Sequence, residues 1–219
     1  MFNDRYGLTK AVLGGRKTQT RRIITCPKEF KGEWVAGFHV YKRLSDGAML
    51  EYPSLYDADE STIDGGYILP KYKIGEVVAV AQSYKDAGVK FIPEDDDEFG
   101  CYKFPAEQTK GWDNKLFVRA DLMPHHIRIA NVRVERLQDI SDEDCIMEGV
   151  REVCVNNNWG NSASHWEFQV SYEDKLGRTK LLRGFTPQEA YAALIDRISG
   201  KGTWESNPFV FVYDFDVVD

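Results

Sequence analysis

Apolar positions recur along the chain in two periods, and each period marks elements. In "RYGLTKAVLGG", Leu8, Ala11 and Val12 stand at helical spacing, and Gly14 and Gly15 supply a stop. "ISDEDCIMEGV" predicts a second helix, with Ser141 as N-cap, carboxylates in its first turn and Gly149 at its end. "TPQEAYAALIDRISG" predicts a third. Thr186 and Glu189 form a capping box there, Pro187 takes the first helical position, and Tyr191, Leu194, Ile195 and Ile198 make an apolar face closed by Gly200.

Alternation marks the strands. "NPFVFVYDFDVV" puts Phe209, Phe211, Tyr213, Phe215 and Val217 on one face. In "HHIRIANVRVERL", residues 125–137, Ile127 and Ile129 share one parity while Val132 and Val134 share the other. The phase slips near Ala130 and Asn131, which predicts a bulge or bend. The apolar run from Val77 to Ala81 has strand length, and "KLFVRA" at 115–120 is a shorter strand candidate.

Three stretches, 25–72, 85–115 and 151–184, lack a clean period and read as insertions, the first with a hairpin or two. There is no internal repeat and no βαβ alternation. The pattern predicts an α+β fold over 1–219 as a single domain: a small, mostly antiparallel β-barrel with short helices at its ends and loop insertions.

Charge narrows the function. The net charge of -7 disfavours sequence-independent binding to long DNA. Part of the acidity sits in "EDDDE", 94–98, which reads as a solvated loop. Against that background "GGRKTQTRRI" gathers Arg16, Lys17, Arg21 and Arg22 around two threonines, directly after the first helix. Positive charge suits a helix C-terminus, so a solvated turn explains part of it, and a site for a polar or anionic ligand explains the rest. No apolar stretch approaches the roughly 20 residues of a membrane helix, and "MFNDRYGLTK" lacks a signal-peptide core. Cys26, Cys101, Cys145 and Cys154 form no CxxC pair, so reduced thiols in a cytoplasm are expected. His39, His125, His126 and His165 have no zinc-ligand spacing, and no metal or other cofactor is expected.

"VLGGRKTQTRRI", "VRVERLQDISDEDCIMEGV" and "GKGTWESNPFVFVYDF" together resemble the ASCH family, most closely its phage and prophage members. The resemblance implies a PUA-like β-barrel that binds a nucleotide, nucleoside or RNA segment. A related branch hydrolyses N4-acetylcytidine to cytidine and acetate. Its proposed Lys, Thr and Glu correspond here to Lys17, Thr20 and Glu148, and a following basic position corresponds to Arg22. Relatives carry Arg and Glu where this chain has Ala81 and Gln82, which alters the charge of any pocket that Gln82 lines.

The chemistry is coherent. The resemblance implies that Thr20 attacks an acetyl carbonyl, Lys17 takes its proton and Glu148 orients one of them or serves the leaving amine, with the Gly14–Gly15 amides expected to complete an oxyanion hole. Arg16, Arg21 and Arg22 are expected around the substrate, with Gln82. "GKGTW" offers Lys201 to a phosphate and Trp204 to a base, or is a helix stop with Trp204 in the core. On local evidence Lys17 and Arg21 also read as solvated cations, Thr20 as a strand residue and Glu148 as surface charge. Three other functions remain open: an RNA or modified-base reader without catalysis, a metal-independent ribonuclease, and an accessory phage protein with no small-molecule site.

Overall fold

The computed structural model of the chain describes residues 2–41, 52–93, 103–155, 165–174 and 176–218. The acidic run at 94–98 and Cys101 lie outside the described residues. The described helices are α1 (Leu8–Leu13), α2 (Tyr84–Ala87), α3 (Asp142–Met147), α4 (Pro187–Ser199) and α5 (Thr203–Ser206). The strands run from β1 (Gln19–Ile23) through β2 (Glu29–Phe30), β3 (Glu33–Trp34), β4 (Gly37–His39), β5 (Ser54–Tyr56), β6 (Thr62–Tyr67) and β7 (Val77–Ala79). They continue with β8 (Phe91–Pro93), β9 (Lys103–Pro105), β10 (His126–Arg136), β11 (Arg151–Val155), β12 (His165–Glu173), β13 (Thr179–Gly184) and β14 (Phe209–Val217).

The fold is α+β, with antiparallel strands and a curled half-barrel sheet in the order β1-β14-β10-β7. Its long member β10 slips register against β14 between Ile129 and Asn131, where the parity of the apolar residues changes. The extra residue lets Ile129 and Val134 both reach the core despite their opposite parity. The alternation in β14 understates its burial. Val210 and Val212 are as buried as Phe211 and Tyr213, because this central strand is covered on both faces.

The helices begin where their caps place them. The Ser141 side chain accepts from the Asp144 N–H, and Thr186 and Glu189 form the reciprocal box at the start of α4. Tyr191, Leu194 and Ile195 pack α4 into the main core with Val12, Leu137, Cys145 and Val210. Ile198, one turn on, stays half out of the core. Glu148 caps the end of α3, and Gly149 follows with φ 108, a left-handed conformation that glycine adopts at little cost.

Two expectations are corrected. Residues 115–117 form a 3-10 turn instead of a strand, because the Asn114 side chain accepts from the Leu116 N–H and closes the backbone into a turn. Residues 151–184 are not loop throughout: β11, β12 and β13 form an antiparallel sheet. Trp166, Phe168, Val170 and Tyr172 alternate along β12, and that period-2 signal was there to be read. The first expected insertion holds the β2–β3 hairpin and the β4-β5-β6 sheet, and the second holds the β8–β9 pair. β7 ends at Ala79, short of the expected Ala81. Among the described residues no helix is long and apolar enough to cross a membrane.

Candidate functional site

A cleft of about 630 Å³ opens along β1, and Lys17, Thr20, Arg21, Arg22 and Glu148 all line it. Its position follows from strand order. β1 pairs on one side with β14, and among the described residues no strand pairs with its other side. The Thr18 carbonyl accepts from Phe215, and the Ile24 N–H donates to Phe209. Even-numbered residues therefore face β14, and odd-numbered residues turn their backbone groups to the outer edge. In keeping with this, the Gln19 carbonyl accepts from Lys17 Nζ at 2.7 Å. The edge is walled by α4, by the segment Phe2–Arg5 and by residues 113–116. Lys115 Nζ ties two of these walls together. It donates to the Phe2 carbonyl and to Thr9 Oγ1 at 3.1 Å, and pairs with Asp4 at 2.8 Å.

Lys17 and Glu148 meet at the bottom of the cleft, brought together from opposite ends of the β1–α3 packing. Lys17 is 1% exposed and Glu148 5%. The ammonium donates to the Glu148 carboxylate, to the Glu148 carbonyl at 3.0 Å and to the Gln19 carbonyl. Three acceptors thus match its three N–H groups. Burial pushes the Lys17 pKa down. Glu148 opposes that shift, and Arg22 and Arg21 reinforce it. The Phe2 ring lies 6.0 Å from Nζ. Thr20 is half-buried in the same cleft.

Behind the pair lies an ionic network that sequence reasoning missed. Arg21 Nη2 donates to Glu135 at 2.6 Å and to Asp144 at 2.7 Å, while Nη1 reaches Glu148 at 3.2 Å and the Gln19 amide oxygen. Arg133 bridges Asp214 at 2.6 Å and Asp144 at 2.9 Å. Gln19 Nε2 joins Asp144 and Asp214 at 3.0 and 2.7 Å. Burial alone would lower the Arg21 pKa, but Glu148 and Glu135 hold it above the ordinary value. Burial would raise that of Asp144, but hydrogen bonds from Gln19 and Arg21 hold it below the usual value. A signal was present: Arg133 and Glu135 alternate with Val132 and Val134, so both charges share one face of a strand that also buries apolar residues.

Three cations, Lys17, Arg21 and Arg133, therefore meet four carboxylates, Glu135, Asp144, Glu148 and Asp214. These groups pair with one another and carry one net negative charge, while the cleft lining itself sets Arg5, Lys17, Arg21, Arg22 and Lys115 against Asp4, Asp113 and Glu148. Arg22 is exposed on the rim of the cleft.

Other expected site residues lie elsewhere. Arg16 is exposed outside the cleft lining, at the end of α1, where partial burial and then Arg151 lower its pKa. Gln82 is buried away from the cleft, beside Met123. Lys201 is exposed in the turn after α4. Trp204 packs edge-on against Tyr191 at 6.2 Å, behind the cleft wall, and its backbone N–H donates to the Asp196 carboxylate at 2.8 Å. The Gly14 and Gly15 amides donate to Lys10 and Val12 to close α1, so they are engaged and do not serve as an oxyanion hole. Among the described residues no group of three or more His, Cys, Asp or Glu could hold a metal ion. No protein-family model, curated protein or solved structure matches the chain.

Proposed function

We propose that the chain is a PUA-like protein of the ASCH type, and that its cleft binds a nucleoside and removes an acyl group from the exocyclic amine. The observation that carries this reading is the convergence of Lys17, Thr20 and Glu148 on one cleft from segments 131 residues apart in sequence. A buried ammonium–carboxylate pair can exchange its proton across a single hydrogen bond. Transfer from Nζ to the Glu148 carboxylate leaves a neutral amine beside a carboxylic acid. The amine takes the Thr20 hydroxyl proton as the oxygen attacks the acyl carbonyl, and the acid protonates the departing nitrogen. Water then cleaves the acyl-threonine ester, releasing acetate and restoring the hydroxyl. The backbone N–H groups of Arg21 and Ile23, which β14 does not pair, are the donors this reading assigns to the oxyanion.

The test is incubation of the protein with N4-acetylcytidine, with cytidine followed by chromatography. Release that is abolished in Thr20→Val supports the reading. Absence of release at high protein concentration, or release undiminished in Thr20→Val, refutes the catalytic part. One observation favours a second reading, a binder of modified nucleosides without turnover: three acceptors surround Lys17 Nζ and favour the ammonium over the amine that catalysis requires. Binding of N4-acetylcytidine without release of cytidine would establish that alternative.

A further inference from the structure

A second cavity, of about 430 Å³, adjoins the cleft on the far side of the β1 rim. The two share Arg22 and Ile23 in their walls. Beyond that border the cavity has a chemistry of its own. Phe211, Ile68 and Tyr213 give it an apolar base, and Lys71 and Tyr72 stand at its side. Lys71 is exposed, with Nζ 5.3 Å from the Tyr72 ring centre. Its backbone N–H donates to the Tyr213 hydroxyl at 2.9 Å, and Tyr72 meets Tyr213 edge-on at 5.7 Å. Those contacts hold the 71–72 segment in place. Arg22 stands between the cavities, close enough to act electrostatically on Lys17 in one and on Tyr213 in the other.

We infer that this cavity is a second subsite, which takes the neighbouring nucleotide of a phosphodiester-linked chain whose acylated nucleoside lies in the cleft. The inference rests on the nucleoside reading above and names its substrate class. Two features carry it. The buried cations of the cleft, Lys17 and Arg21, are already engaged by Glu148, Glu135 and Asp144, so the part of a ligand that reaches them needs no charge of its own, as a nucleoside has none. The wall shared by the cavities instead presents Arg22, and Lys71 stands at the side of the second cavity, so a phosphodiester chain that leaves the cleft this way meets both cations. An aromatic ring over an apolar base next to such cations is the combination by which single-stranded nucleic acid is held, one base on the ring and its phosphate on the charge. A lone nucleoside would leave the whole second cavity unused.

The test compares two probes in a Thr20→Val background, so that the acetyl group stays on. One is free N4-acetylcytidine. The other is an RNA tetranucleotide carrying a single N4-acetylcytidine. The tetranucleotide is expected to bind about tenfold or more tightly, with a gain that shrinks as salt rises from about 50 to 200 mM. Lys71→Glu and Tyr72→Ala are each expected to remove most of that gain and to leave nucleoside affinity within about twofold. Lys71 projects from the surface, so its variant keeps the packing that Tyr72→Ala disturbs. Equal affinity for the two probes overturns the second subsite and leaves the cleft reading standing. Equal losses for both probes in the variants do the same. Displacement of the tetranucleotide by a glutamate-rich peptide as readily as by unlabelled tetranucleotide overturns it in favour of a general anion site. Failure of both probes to bind removes the nucleoside reading and the subsite together.

Discussion

Replacing Lys17 with Met removes the charge from a buried pair while roughly conserving volume. The Lys17 and Glu148 side chains are 2% and 6% exposed, so water cannot replace the lost ammonium. Breaking such a pair by removing one partner costs about 3–5 kcal/mol. The lower end applies here, because Arg21 Nη1 still reaches Glu148 at 3.2 Å. A loss of about 3 kcal/mol is roughly 150-fold in the unfolding equilibrium and about 6–12 °C in Tm for a chain of this size. The double variant Lys17→Met/Glu148→Gln removes both charges and leaves Gln to bond Arg21. It is expected to regain stability to within about 1 kcal/mol of the parent, since replacing both ions avoids the uncompensated carboxylate. Urea denaturation of the parent, both single variants and the double variant closes the cycle. A Lys17→Met loss below about 1 kcal/mol, or a double variant as unstable as the sum of the singles, would falsify the account of this pair.

Two further outcomes follow from the same network. The Asp144 carboxyl is held below its ordinary value, so its contribution is complete above the unfolded value of about 3.9 and is lost as pH falls through the lower folded value. The stability gap between the parent and Asp144→Asn, measured by urea denaturation, is therefore expected to be constant from about pH 7 to 5 and to narrow below about pH 4; a gap that widens on acidification contradicts this. Burial pushes the Cys145 thiol up to about 12. Alkylation at about pH 8 followed by peptide mapping is expected to leave Cys145 unmodified in the native protein and modified after unfolding; rapid native labelling contradicts the packing of α3 against β1.

Much of the fold is legible in short-range pattern. The capping box at Thr186 and Glu189, the Ser141 cap and the phase slip at Ala130 are local signals, and each element stands where its signal lies. β12 was equally legible, but polar flanks masked its alternation. The turn at 115–117 was not, because Asn114 competes for the backbone in a way that "KLFVRA" alone conceals. The site divides along the same line. Lys17, Thr20 and Glu148 were found through a motif. Local alternation marks Arg133 as a charge on a buried strand, but its partners Asp144 and Asp214 join it only through pairing across the sheet and α3, which no local spacing encodes. The same pairing neutralises Arg21, which sequence inspection had counted as a cation for ligands. Arg16, Gln82, Lys201 and Trp204 were chosen from short motifs and matched positions, and the topology places them off the cleft lining.

The pairing of β1 with β14 also governs when the cleft can exist. Gln19 bonds Asp214 across a separation of 195 residues. Contacts of that span close a loop of most of the chain's length, and such topologies fold slowly. Closure entropy, however, grows only with the logarithm of loop length, so the residues lying between the two strands add little to the cost of that single closure. A nascent chain that has made α1, α3 and β10 still has no β1 edge and no cleft until residues 209–217 insert between β1 and β10. The scaffold therefore tolerates large changes in its intervening segments, while the cleft is complete only once its last strand has paired.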